Sequence, residues 1–175
     1  MNINNLKKSG ACFLLVSLAT FLIDWLSKTL IAKNIVAYDH SSFIPVIRNF
    51  FRIVHVHNEG AAFSFLAEHS GWQQWFFGIT AVAISAFLIW KLFQNTANKV
   101  WSNVSYALII GGALGNLYDR FVYGYVIDFL DFYIVTDHME YHYPSFNIAD
   151  CAVCVGVFMV LVYEIFLNKN TTLEK

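Results

Sequence analysis

Residues 146–167 read FNIADCAVCVGVFMVLVYEIFL, a polar entrance followed by an almost unbroken apolar run from Ile148 to Leu167. About 20 apolar residues in helical conformation cross a hydrocarbon layer roughly 30 Å thick, so the run reads as a transmembrane helix. Asp150 lies in its first turn, near the lipid boundary, where an ionised side chain is costly unless its surroundings compensate. Asn147, three residues earlier, stands where an N-cap belongs.

Two readings account for Asp150. In the first it is structural: Asn147 caps the helix and Asp150 is the acidic partner of a capping-box variant, favoured by the positive end of the helix dipole. In the second it is half of a catalytic carboxylate pair, because ionisable groups at membrane depth usually line a functional cavity. The second reading needs another acid from elsewhere in the chain.

Composition extends the membrane reading to the whole sequence. Of 175 residues, 58% are hydrophobic and 13% charged, with a mean hydropathy of +0.53, which lies outside the range of ordinary soluble domains. A net charge of -1 offers no basic surface to hold nucleic acid, so that class of partner is excluded. With 2 prolines, 9 glycines and no low-complexity run, residues 1–175 read as one unit without linkers. Cys12, Cys151 and Cys154 fall in apolar spans and serve as small hydrophobes. The Cys151, Cys154 spacing lacks the second ligand pair of a zinc site, and HExxH is missing, so no metal and no cofactor are expected.

Apolar runs at about 11–31, 72–93 and 100–117 join 148–167 to give four predicted spans and a mostly α membrane protein. The first follows Lys7 and Lys8 but is too long for a signal-peptide core, and it continues through Asp24 and Lys28. Those two residues, four apart, share a helix face and neutralise one another inside the protein. The third run carries Gly111, Gly112, Ala113 and Gly115, which allow close helix approach, and ends on Asp119 and Arg120.

Between the spans lie two polar segments, 33–70 and 119–147. Val54, His55, Val56 and His57 alternate and Asn58, Glu59 and Gly60 supply turn chemistry, which predicts a small sheet outside the bilayer with both histidines on its wet face. Lys7, Lys8, Lys91, Lys99, Lys169 and Lys175 flank one side, against Lys33, Arg48, Arg52 and Arg120 on the other. That bias places both termini inside and both polar segments on the outer face. Asp24, Asp119, Asp128 and Asp150 then gather near one membrane depth.

The candidate partners for Asp150 are Asp119, Asp128 and Asp131. Asp119, beside Arg120, reads as an ion pair at a helix end. Asp128 sits in the apolar run Val126-Ile127-Asp128-Phe129-Leu130, where desolvation raises a carboxyl pKa. Two carboxylates held close share a proton; such a pair polarises water for attack on a peptide carbonyl and returns the proton to the leaving amine.

Four motifs in order carry a family resemblance: Asn58-Glu59-Gly60-Ala61-Ala62-Phe63, Gly111 through Arg120, Val126-Ile127-Asp128-Phe129 and Phe146-Asn147-Ile148-Ala149-Asp150. With Asp24 and Lys28, the sequence resembles the lipoprotein signal peptidases, or signal peptidase II, over nearly its full length. The resemblance implies an aspartic endopeptidase of the bacterial cytoplasmic membrane that removes signal peptides from prolipoproteins, cleaving before a diacylglyceryl-modified cysteine. It implies four transmembrane helices with a small extracytoplasmic β-cradle, an active site near the outer face, and inhibition by globomycin. The catalytic dyad maps onto Asp128 and Asp150. Asn58, Gly60, Asn116, Asp119, Arg120 and Asn147 map onto positions that bind substrate or orient the dyad, with Asp119 fixing Arg120 and Asp24 and Lys28 in support. Trp25 departs from the glutamine that often follows the first-helix aspartate in the family.

The lipid on such a substrate explains a site at the bilayer boundary: each buried CH₂ adds about 0.8 kcal/mol of membrane retention, so the acyl chains stay in the leaflet while the peptide bond presents at headgroup depth. The alternative class is a small proton- or ion-coupled transporter, which calls for acids spread across the membrane rather than gathered at one face.

Overall fold

The structure is a computed structural model that describes residues 9–39, 41–60 and 72–167. The flanking lysines Lys7, Lys8, Lys169 and Lys175, and the motif residues Ala61, Ala62 and Phe63, lie outside the described residues.

Four long helices form the body. A 3₁₀ turn, Gly10–Phe13, leads into α1 (Leu14–Asn34), followed by α2 (Trp72–Gln94), α3 (Val100–Tyr123) and α4 (Ile148–Val162), which continues as a π-helical turn, Tyr163–Leu167. Among the described residues three segments, Gly10–Asn34, Gln74–Gln94 and Ile148–Phe166, are long and apolar enough to cross a membrane. The α3 helix is as long but more polar, because its neighbours rather than lipid cover it. It packs against α1, α2 and α4 and buries Ser102, Asn103, Ser105 and Asp119 among its apolar and glycine positions. The outward sides of the other helices stay apolar, with Leu22, Leu26, Trp75, Ile79, Phe158 and Leu161 exposed, as expected of surfaces that lipid covers.

The third apolar run stops at Leu117, but the helix that carries it continues: α3 runs on to Tyr123, and Gly124, with φ 81°, ends it. Asp119 and Arg120 are therefore helical, one turn inside the C-terminus. Gly115 makes the tightest approach to α1 possible, since a Cβ there would lie 2.5 Å from Asp24 Oδ2.

At one end of the bundle lies a four-stranded antiparallel sheet in the order β1 (Ile44–Ile47), β2 (Phe51–Asn58), β3 (Val126–Val135), β4 (Glu140–His142). Its central pair joins the two polar segments, so both stand at the same end of the helices. A bulge interrupts the β2–β3 ladder: Ile53 faces Leu130 but Val56 faces Asp128, one extra residue on β2. It lies beside the histidines and corrects their expected exposure. His55 is buried rather than wet, with Nδ1 2.8 Å from Ile35 O. Since that carbonyl can only accept, His55 Nδ1 carries a proton, and its Nε2 lies 3.1 Å from His57 Nε2.

Candidate active site

A short stretch before α4 brings the two candidate acids together. Phe146 O accepts from Phe129 N (3.0 Å) and Leu130 N (2.9 Å), and Phe146 N donates to Leu130 O (3.2 Å). The chain thus enters α4 hydrogen-bonded to the strand that carries Asp128.

Asn147, fully buried, caps α4. Its Oδ1 accepts from Asp150 N at 3.0 Å, and Asp150 Oδ2 accepts from Asn147 N at 3.1 Å, a reciprocal capping box. The same residue turns its Nδ2 to Asp128 Oδ1 at 2.7 Å. The capping role of Asp150 and a paired role with Asp128 are therefore compatible, because the cap residue itself touches the second acid.

Asp128 accepts at its other oxygen from Asn58 Nδ2 at 2.9 Å. Asn58 Oδ1 in turn accepts from Gly60 N at 2.9 Å, which fixes the amide's orientation. Gly60 holds φ at 89°, a conformation that favours glycine. Burial pushes the Asp128 carboxyl up to about 6; the nearby Asp150 adds to the rise, while the Asn58 and Asn147 hydrogen bonds oppose it. Asp150 is half-buried and accepts at Oδ1 from Asn116 Nδ2 at 2.7 Å.

Behind the pair lies a buried ionic cluster. Lys28 Nζ meets Asp24 Oδ2 at 2.8 Å, Asp119 Oδ2 at 2.9 Å and Asn116 Oδ1 at 2.9 Å. The expected Asp119–Arg120 pair is corrected here. Asp119 faces α1 and the start of β3, where its Oδ2 also accepts from Ile127 N at 3.1 Å, since successive helical residues point about 100° apart. Arg120 instead donates from Nη1 to Asn116 O at 3.2 Å and lies over the Phe77 ring at 5.1 Å.

Asp131, the remaining candidate partner, is engaged elsewhere. It pairs with Arg52 at 2.6 Å and with His142 at 3.0 Å. Among the three candidates, Asp128 alone shares a hydrogen-bonding residue directly with Asp150.

Asp150, Asn116, Arg120, Phe77 and Thr80 line a cavity of about 280 Å³ between α2, α3 and α4. A larger apolar groove of about 700 Å³ along α2 and α3 reaches this region at Arg120. The sequence reading missed Phe77, the Phe146 carbonyl and the Ala149 N–H that Asp24 Oδ1 holds at 2.8 Å. Phe77 carries no local signal, and the other two act through backbone atoms that any residue supplies.

A family model described as "Signal peptidase (SPase) II" matches residues 16–166. The chain belongs to the signal peptidase II family. It is 48% identical to a lipoprotein signal peptidase of Actinobacillus succinogenes, over 93% of this chain and 94% of that one. It is 47% identical to a lipoprotein signal peptidase of Haemophilus influenzae, over 96% and 93% of the two chains. A solved bacterial membrane enzyme superposes with a TM-score of 0.73 at 29% identity, covering 94% of this chain and 92% of the other. The chain is accordingly an enzyme of the membrane, an aspartic peptidase, and the transporter reading falls away.

Proposed function

We propose that Asp128 and Asp150 are the catalytic dyad of a peptidase that removes signal peptides from diacylglyceryl-modified prolipoproteins at the outer face of the bacterial cytoplasmic membrane. The observation that carries this reading is the single Asn147 side chain that donates to Asp128 and accepts from the Asp150 backbone. It fixes two acids from distant parts of the chain relative to one another.

In this mechanism Asp128 holds the shared proton, consistent with a carboxyl raised to about 6 by burial. Asp150, at the N-terminus of α4 with the Asn116 amide on Oδ1, acts as the acceptor for the attacking water. Asp128 donates to the scissile carbonyl as the tetrahedral intermediate forms. The proton drawn from water passes from Asp150 to the leaving amine as the C–N bond breaks, and the proton lent to the carbonyl oxygen returns to Asp128 as the C=O bond re-forms, so the pair again holds one proton between two carboxylates. Neither acid becomes covalently attached to substrate.

The remaining polar residues orient. Asn58 and Asn147 hold Asp128 from both oxygens, Gly60 fixes Asn58, and Arg120 edges the cavity beside Asp150 as a donor for substrate carbonyls. The acyl chains of the substrate remain in lipid against the exposed apolar helix sides, and the cavity between α2, α3 and α4 admits the peptide bond at the sheet end of the bundle. Globomycin is expected to occupy the same place.

The test is cleavage by the purified protein of a prolipoprotein bearing the diacylglyceryl cysteine, beside the same polypeptide without it. The proposal expects turnover of the lipidated substrate, inhibited by globomycin, and little of the other. Equal turnover of both would overturn the lipid requirement.

A further inference from the structure

We infer that Lys28 is a positioning residue for the reaction, its one ammonium setting the places of both dyad carboxylates through three different side chains. An ammonium has three N–H donors, and Lys28, 2% exposed, donates to Asn116 Oδ1 and forms ion pairs with Asp24 and Asp119, all three within 2.9 Å. Each acceptor then holds a group at the dyad. Asp24 Oδ1 accepts from Ala149 N at 2.8 Å, the residue before Asp150. Asp119 Oδ2 accepts from Ile127 N at 3.1 Å, the residue before Asp128. Asn116 Nδ2 donates to Asp150 Oδ1 at 2.7 Å.

The third link is directional. The Asn116 amide has an acceptor end and a donor end, and Lys28 offers only donors, so the oxygen must face Lys28 and the NH₂ must face Asp150. The same oxygen also accepts from Asn147 Nδ2 at 3.2 Å; a neutral side chain at position 28 leaves the amide to that longer hydrogen bond, and it can then turn its oxygen toward Asp150. The charged groups around this link come from every packed element: Asp24 on α1, Asp119 and Arg120 on α3, Asp128 on β3 and Asp150 on α4. Among the described residues no hydrogen bond or ion pair joins Lys28 to either acid of the dyad; its charge reaches Asp128 through space and favours the anion, while its positioning action runs through its neighbours.

A lysine that merely balances buried charge makes a different prediction, and the two roles separate experimentally. Lys28→Met leaves Asp24 and Asp119 without their cation. Lys28→Met combined with Asp24→Asn removes one charge of each sign, so the buried net charge is that of the wild type and the amide introduced at position 24 can donate to Asp119. The inference, which rests on the dyad reading, expects the double variant to recover thermal stability relative to Lys28→Met. Its kcat per folded molecule stays about 100-fold below wild type, the scale of a misplaced catalytic group, with KM little changed. Wild-type kcat in the double variant would overturn it.

A second variant keeps the lysine contact and so does not depend on folding without it. Asn116→Asp retains an acceptor for Lys28 and replaces the donor to Asp150 with a carboxylate oxygen. Because Lys28 keeps the ionised oxygen, a proton taken up at lower pH sits on the oxygen facing Asp150 and restores a donor there, so the pH optimum moves to lower pH. An unmoved optimum overturns the orienting role. Asp128→Asn and Asp150→Asn run in the same assay keep the two readings apart. Turnover in either rejects the dyad, whereas loss in both with full activity in the double Lys28 variant rejects only the inference about Lys28.

Discussion

Asn147 Nδ2 lies 2.7 Å from Asp128 Oδ1 while the rest of the same residue caps the helix that begins at Asp150. The joint between strand β3 and helix α4 is thus also the joint between the two acids. Removing the amide disturbs fold and chemistry together. Asn147→Ala is expected to cost about 1 kcal/mol from the lost cap, and more from the Asp128 oxygen left without its buried donor. Cleavage should fall at least tenfold, read as kcat alongside the melting temperature in detergent.

The Asp128 carboxyl, raised from its ordinary 3.8 to about 6, gives the native state a measurable pH dependence. Between those values the native protein binds a proton that the unfolded chain has released, so stability is greatest at the acid end and falls as pH rises through about 6. The full effect is about 3 kcal/mol. Asp128→Asn cannot titrate, so melting temperatures measured from pH 4 to 7 should show a shallower decline in the variant. An identical decline would show that other groups carry the slope.

Activity has its own sign. A dyad that works with one proton loses activity on the alkaline side when that proton leaves Asp128. The Asn58 hydrogen bond favours the anion, so Asn58→Ala lets Asp128 keep its proton to higher pH. The alkaline limb of kcat/KM should therefore move upward in the residual activity of Asn58→Ala.

Asp131 offers a control acid three positions from Asp128 on the same strand. Its partners are Arg52 and His142 on the sheet, so Asp131→Asn should lower the melting temperature yet leave cleavage by folded protein within about threefold, as for a substitution outside the reacting centre.

Gly115→Ala probes packing without altering any polar group. The added methyl meets Asp24 Oδ2 at 2.5 Å, so α1 and α3 must separate or that oxygen must shift from Lys28. A loss of about 1–3 kcal/mol is expected, together with reduced activity, measured by thermal unfolding and by cleavage in parallel.

Much of this was legible in the residues. The apolar run after Asp150 has the length of a membrane crossing, Asn147 and Asp150 have capping-box spacing, and Asp128 stands out as an acid within an apolar strand. The third helix is harder to read: Asp119 and Arg120 look like a membrane exit, whereas in the fold they lie within the helix and Asp119 is buried against Lys28. Adjacency also suggested pairing Asp119 with Arg120, but neighbouring helical side chains diverge. His55 was misplaced because alternation reports that two residues share a face and says nothing of what covers it; here the end of α1 does. The hub at Lys28 joins residues 88 or more positions away along the chain, and no local pattern encodes that meeting.

The most direct measurement is single-turnover cleavage of a diacylglyceryl-modified prolipoprotein by Asp128→Asn and by Asp150→Asn, each first shown by its melting curve to be folded. The dyad account predicts no product from either variant on the time scale in which the wild type converts all of its substrate. Product from either folded variant at the wild-type rate would contradict it.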